Sequence, residues 1–135
     1  MASPLAHRPI CMLGGDTREV LLAEALVKME ADLRLVGFIS QGELANAAHF
    51  ADPVQAAKGC RVVLGPMSNT DLAGLITTTP DPSCEPIDMP AVLASLSPGT
   101  IVFIGVAKPI IKRLAKAYRL HLVETAAIDE IAVLN

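Results

Sequence analysis

The sequence predicts an α/β fold built on a parallel sheet, and three observations carry the prediction. Short runs such as Ile10 to Leu13 and Thr100 to Ile104 are apolar throughout or nearly so, as strands buried on both faces are. These runs alternate with segments of helical period, which is the order of repeated strand–helix–strand units. The apolar content is 52% but aromatic residues make up only 3%, with no Trp, so the core is aliphatic and rich in alanine. Small residues of that kind suit close packing between helices and a sheet covered on both faces.

The elements follow in order. Ile10 to Leu13 is the first strand and stops at Gly14-Gly15. From Asp16 to Glu30 the period lengthens to that of a helix. Leu21, Leu22, Ala25, Leu26 and Met29 form its apolar face, and Glu24 and Lys28 pair four residues apart on the other. Leu33 to Phe38 is strand-like, and Gln41 to Phe50 and Pro53 to Lys58 read as short helices, the second opening on proline. Arg61 to Leu64 is a third strand. Asp88 caps a helix running to Leu96, with Pro90 in its first turn. Thr100 to Ile104 is a strand, and Pro109 to Tyr118 is a helix with Ile110, Ile111, Leu114 and Ala117 inward. Leu120 to Glu124 and Ile131 to Leu134 are the last strand candidates. Residues 67–87 break the pattern. Thr77-Thr78-Thr79-Pro80-Asp81-Pro82 fits neither a central strand nor a helix, so a long surface excursion with a small hairpin is expected there.

A length of 135 residues suits one domain able to bury a core without staples. Low charge (19%) and high apolar content exclude a disordered chain. A net charge of −3 and a pI near 5.5 give no electrostatic footprint for nucleic acid. Mean hydropathy is +0.47, high enough to suggest that part of the surface meets another protein or domain, or a second copy. No run is long and apolar enough to span a bilayer, and Met1 to Pro9 lacks the apolar stretch of a secretion signal. Cys11, Cys60 and Cys84 lack metal-site spacing, and the first two read as buried thiols in a reducing, cytoplasmic setting. His7, His49 and His121 are scattered, with His49 at a helix end and His121 in a strand, so no metal site is expected. Asp129-Glu130 reads as a solvated turn.

In open parallel sheets, ligands bind beyond the carboxyl ends of the strands. Those ends carry Gly14-Gly15-Asp16-Thr17-Arg18, Gly37-Phe38, Gly65-Pro66-Met67-Ser68-Asn69-Thr70 and Gly105-Val106-Ala107-Lys108-Pro109. The polar residues of the chain gather on this edge. Gly14-Gly15 follows a strand and opens a helix but lacks the third glycine of a dinucleotide turn, and Asp16 would set a carboxylate where a pyrophosphate should lie. Asp16 as N-cap, with Glu19 completing a capping box, is the simpler reading. Arg18 and Lys108 fall at helix starts, where the helix dipole disfavours cations. Two cations there suit a ligand bearing carboxylates, and equally describe solvated side chains. Ser68, Asn69 and Thr70 are able to bind a ligand or to build an ordinary turn. Asp16, Thr17, Arg18, Ser68, Asn69, Thr70 and Lys108 are therefore the candidate substrate-binding residues; spacing identifies no catalytic residue.

Taken together, Gly14-Gly15-Asp16-x-Arg18, Leu35-Val36-Gly37-Phe38, Leu64-Gly65-Pro66-Met67-Ser68, Phe103-Ile104-Gly105 and Ile128 to Asn135 resemble, in order, the N-terminal domain of the dipicolinate synthase A-subunit family. The resemblance runs from about Pro9 to the end; the segment from Thr77 to Glu85 matches poorly. It implies a flavodoxin-like, three-layer Rossmann-like sheet of order 2-1-3-4-5, with Ile131 to Leu134 as a final extra strand. It implies that residues 1–135 are the substrate-side domain of a longer oxidoreductase polypeptide. The rest of that polypeptide would be a nucleotide-binding Rossmann domain that carries NADP, so no cofactor is expected on this part. The implied reaction is oxidation of a dihydrodipicolinate-type dicarboxylate to dipicolinate in the mother-cell cytoplasm of a sporulating bacterium. The implied partner is the flavoprotein-like B-subunit of dipicolinate synthase. The competing expectation is a flavodoxin-like module without chemistry that docks a protein partner.

Overall fold

The structure, a computed structural model, describes residues 3–126. Its centre is β1 (Pro9–Leu13), in which Cys11, Met12 and Leu13 are at most 1% exposed. Both flanks of β1 are paired in parallel, with Ile10 opposite Leu33 of β2 (Asp32–Val36) on one side and opposite Val62 of β4 (Val62–Leu64) on the other. β7 (Ile101–Ile104) pairs with β4, and β8 (His121–Glu124) pairs with β7, again in parallel. With β3 (Ala48–His49) outside β2, the sheet has six strands in the order β3-β2-β1-β4-β7-β8. The expected order of 2-1-3-4-5 is the run of five from β2 to the β8 edge. The added strand lies at the β2 edge, while the expected final strand, Ile131 to Leu134, falls outside the described residues, as do Asp129-Glu130 and the Ile128 to Asn135 block.

Helices cover both faces. α2 (Pro53–Ala57), α3 (Met89–Ser95) and α4 (Pro109–Ala117) pack Ala56, Ala57, Val92, Leu93 and Ile111 against Cys11, Val63 and Val102. α1 (Thr17–Lys28) packs Ala23 and Leu26 against Ile10, Met12, Leu33 and Leu35 on the other face. Local signals set the helix starts, at Asp88 as expected and also at Asp52. Asp52 and Asp88 accept hydrogen bonds from the Val54 and Ala91 amides at 2.9 and 3.1 Å, each just before a helix with proline in its first turn.

Four expectations are corrected. Gln41 to Phe50 is a short 3₁₀ helix (Gly42–Asn46) followed by β3, so His49 lies in a strand; its Nε2 lies 2.7 Å from the Leu44 carbonyl oxygen. The predicted apolar face of α1 points outward. Leu21, Leu22 and Met29 are 64%, 45% and 45% exposed and Ala25 is exposed, while Glu19, Ala23 and Leu26 are buried. Apolar residues run nearly all round this helix, so hydropathy leaves its rotation open. Ala23 and Leu26, packed against the sheet, fix the phase, with Glu19 preceding them at the helical spacing. In α4 it is Ala115, not Ala117, that is buried. Finally, the excursion is more than a surface loop. The expected hairpin exists as β5 (Leu75–Ile76) and β6 (Ile87–Asp88), antiparallel, but the segment joining them sends Thr78 into the core, where it is 5% exposed.

Candidate functional site

The strand order reverses direction at β1: the chain leaves it toward β2 and β3, then returns to build β4, β7 and β8 on the other side. The crevice beyond the carboxyl ends of β1 and β4 is therefore the position where an open α/β sheet takes a ligand. Asp16 caps α1 there. Its Oδ1 accepts the Arg18 amide at 2.9 Å, and the Glu19 carboxylate accepts the Asp16 amide at 3.0 Å, so the capping box is formed. The Arg18 guanidinium folds back on the same Asp16 carboxylate, Nε to Oδ1 at 3.1 Å and Nη2 to Oδ2 at 2.8 Å. This doubly bonded pair answers the cation at the helix start: Asp16 offsets both the dipole and the charge. Arg18 hydrogen bonds hold the Asp16 carboxyl below its ordinary range.

From this pair Arg18 reaches across the crevice. Its Nη2 donates to Ser68 Oγ at 2.9 Å, joining the β1 and β4 loops, and Ser68 Oγ lies 3.4 Å from Asn69 Oδ1. Asn69 has φ +75°, a left-handed conformation that asparagine tolerates, and its carbonyl accepts the Thr77 amide at 2.9 Å. The sequence-predicted residues thus divide. Asp16, Arg18, Ser68 and Asn69 are brought together by side-chain contacts. Thr17 is exposed at the start of α1 and lines a surface hollow of about 300 Å³ beside Ile39 and Pro80. Thr70 turns inward: its backbone bridges Ile76, and its Oγ1 is buried without a hydrogen-bond partner. Lys108 is half-buried at the cap of α4 and makes no capping bond with its side chain. Its loop is nevertheless tied to the crevice, since the Gly105 amide donates to the Pro66 carbonyl at 3.0 Å.

The glycines at this edge serve internal packing. A Cβ on Gly15 (φ +127°) would overlap the Glu19 carboxylate, and one on Gly14 would lie 3.0 Å from Thr78 Cβ. The Gly15 carbonyl already accepts the Thr79 amide and hydroxyl at 2.9 and 3.3 Å. A turn filled this way from inside does not fit a pyrophosphate, which needs open backbone amides at a bare glycine surface.

Sequence reasoning gave Glu19 a capping role only and missed Thr78 and Thr79 altogether. Glu19 is 5% exposed, and burial pushes its carboxyl above the ordinary range. The capping-box spacing was the one available signal for it; nothing local marked the threonines. The cysteines offer no nucleophile: burial pushes the Cys11 thiol up to about 12 and also raises Cys60 and Cys84. Among the described residues no group of His, Cys, Asp or Glu side chains is arranged to hold a metal ion, and no helix is long and apolar enough to cross a membrane.

Comparison with known proteins adds the family. The family of the dipicolinate synthase A-subunit N-terminal domain matches residues 9–126. Among solved structures, the A-subunit of dipicolinate synthase from Bacillus halodurans superposes with a TM-score of 0.81 at 21% identity, covering 96% of this chain and 44% of that one. The corresponding polypeptide of dipicolinate synthase from Bacillus subtilis gives 0.75 at 22% identity, covering 91% and 41%. The chain thus spans less than half the length of either. No curated protein matches it. With the family match running through nearly all the described residues, the chain belongs to the dipicolinate synthase A-subunit N-terminal domain family.

Proposed function

We propose that this chain is the substrate-side domain of an oxidoreductase that converts a dihydrodipicolinate-type dicarboxylate to dipicolinate during bacterial sporulation, in the mother-cell cytoplasm and together with a B-subunit. The observation that carries the reading is the Arg18–Ser68 bond across the β1/β4 crevice in a chain of this family. Loss of two hydrogens from the dihydropyridine ring aromatises it, one leaving as hydride and one as a proton. NADP, held by a Rossmann domain outside residues 1–135, supplies the hydride acceptor. The residues of this chain would grip the carboxylates. Arg18 uses Nε and Nη2 on Asp16 and Ser68 and keeps Nη1 for a ligand oxygen. Lys108 offers a second charge from the neighbouring loop, and Ser68, Asn69 and Thr17 supply neutral polar groups at the rim.

Calorimetry with pyridine-2,6-dicarboxylate tests this. Binding that weakens about tenfold or more in Arg18→Ala and in Lys108→Ala is expected, the size of one charge-assisted contact. Equal affinity in the wild type and both variants would discard the rim. Tight NADP binding by residues 1–135 alone would overturn the division of labour.

A second reading, a module that docks a partner without chemistry, is favoured by one observation: the outward apolar face of α1 formed by Leu21, Leu22, Ala25 and Met29. A chain that binds no dicarboxylate but loses association when Leu21 and Leu22 become polar would decide for it.

A further inference from the structure

The segment joining β5 and β6 is held down at two points: Thr78, whose hydroxyl donates to the Gly37 carbonyl at 2.7 Å, and Ile87, 2% exposed in the core. Between these anchors residues 81–86 form one wall of a hollow of about 610 Å³, and the ends of β2 and β3 form the other. Sites for small organic molecules span roughly 300–1,000 Å³. Buried Leu35, Phe38 and Ile87, with half-buried Phe50, make its floor, so two of the chain's three phenylalanines meet there. Its charged lining is of one sign. Asp81, Glu85 and Asp88 bring carboxylates, and neither Lys nor Arg lines the hollow. The sequence makes this a property of both walls: residues 35–57 and 62–107 contain acidic residues but no Lys and no Arg. His49, also in the lining, sets its Nε2 2.7 Å from the Leu44 carbonyl oxygen, which only accepts; that nitrogen carries the proton, and Nδ1 of the neutral ring is an acceptor. Asp81 and Asp88 each spend Oδ1 on local partners, the Ser83 amide and hydroxyl and the Ala91 amide. Glu85 is exposed, and its carboxylate has no ion-pair partner among the described residues. A solvated loop also carries such charges, but it does not set them around a cavity floored by phenylalanine.

We propose that this hollow is a second binding site, separate from the crevice, for a small organic cation: a flat apolar body rests against Phe38 and Phe50, and its ammonium meets the carboxylates of Asp81, Glu85 and Asp88. An ammonium is all donor and matches a lining that offers acceptors. Aromatic ring faces add to the preference for a cation. A carboxylate or phosphate would face three like charges with no cation to balance them, so the anionic ligand suited to Arg18 and Lys108 is excluded here. The two sites share one edge of the sheet and take opposite charges. The proposal stands on the hollow and its lining and does not depend on the substrate-side reading of the crevice.

The test titrates the 135-residue chain with benzylammonium and follows backbone amides by NMR. The Gly37, His49, Cys84 and Glu85 amides are expected to move along one saturable curve while those of Arg18 and Ser68 stay still. Benzyl alcohol, which keeps the ring and drops the charge, is expected to bind about threefold more weakly or worse, and methylammonium, which keeps the charge and drops the ring, not to saturate. Glu85→Gln is expected to weaken benzylammonium about threefold, and Asp81→Asn with Glu85→Gln about tenfold, with the amides of the sheet unmoved as the check on folding. Equal binding of benzyl alcohol, equal binding of methylammonium, or no saturation by benzylammonium would each overturn the proposal. Pyridine-2,6-dicarboxylate separates the two sites. If it moves the amides of the hollow, the charge selectivity is wrong and the proposal falls; if it moves none at all, the substrate-side reading falls and the benzylammonium result still decides the hollow. The wild-type titrations need no variant to fold.

Discussion

The carboxyl edge of the sheet is built in two ways. Over β1 and β2 it is closed at the glycines: the segment joining β5 and β6 lays Thr78 onto Gly37, its hydroxyl donating to the Gly37 carbonyl at 2.7 Å, and Thr79 onto Gly15, and leaves a hollow of about 610 Å³ further out between that segment, Gly37, His49 and Phe50. Over β1 and β4 it stays open, with Arg18 and Ser68 exposed and bonded across the gap. Both halves are lined by glycine turns and hydroxyl side chains, so composition does not separate them. The difference is that one set of hydroxyls spends its hydrogen bonds inside the protein, whereas the other presents them at the rim. Glycine does not mark the open half either: a Cβ on Gly105 would overlap the Met67 carbonyl, and one on Gly65 would lie 3.2 Å from the Phe103 carbonyl oxygen.

The comparison breaks most severely at Gly37. Its φ is +88°, and an added Cβ would sit 2.8 Å from the Thr78 methyl. Gly37→Ala is expected to cost about 3 kcal/mol in chemical denaturation, from backbone strain and displacement of the threonine together. An effect below about 1 kcal/mol would show that the closure gives way freely. Next comes Thr78→Val, which keeps the volume and leaves the Gly37 carbonyl without its buried donor. A loss of about 1–2 kcal/mol is expected, with dicarboxylate affinity unchanged because the open half is untouched. A matching loss of affinity would mean that the two halves act as one.

The two carboxylates of the α1 turn give a third effect, of opposite sign for each. Asp16 has its pKa lowered by the Arg18 hydrogen bonds, so its stabilising contribution is present above the ordinary aspartate range and is lost as pH falls through the lowered value. Glu19 has its pKa raised by burial, so its contribution is full below the ordinary glutamate range and is lost as pH rises through the raised value. Unfolding followed against pH should therefore show Asp16→Asn removing part of the acid-side decline, and Glu19→Gln removing the decline at higher pH. Identical profiles in wild type and both variants would place the two groups' folded and unfolded values together. The smallest effect is expected outside the edge altogether. Leu21→Gln on the outward face of α1 should leave stability within about 0.5 kcal/mol of the wild type, whereas a larger loss would show that this face is packed against something in solution.

Local chemistry made much of the fold legible. The apolar strands, the aspartate caps followed by proline, and the Asp16–Glu19 capping box were all readable because each depends on neighbours a few residues away. The same holds for the chain order of strand ends that gathers Asp16, Arg18, Ser68 and Asn69 at one crevice. What was illegible depended on distant partners. The rotation of α1 could not be read from a helix that is apolar on nearly every side; it is set by Ala23 and Leu26 packing on Ile10, Met12, Leu33 and Leu35 of two strands. Thr78 carries the local signature of a surface turn, and only the left-handed glycine beneath it creates a space that a threonine fills. Arg18 read as a cation out of place, yet two residues back in the chain Asp16 holds it in an ion pair of 2.8 Å.

The sequence by itself thus determined the α/β class, the helix starts, the five-strand order that its family resemblance implied, and the edge on which polar residues collect. These follow from hydropathy period, capping and strand-to-helix alternation, all of them short-range. Tertiary structure alone decided which half of that edge is closed, which face of α1 meets the sheet, and which candidate residues touch one another. Those choices depend on side chains meeting across tens of residues of chain, where the shape left by one loop selects what another can place in it.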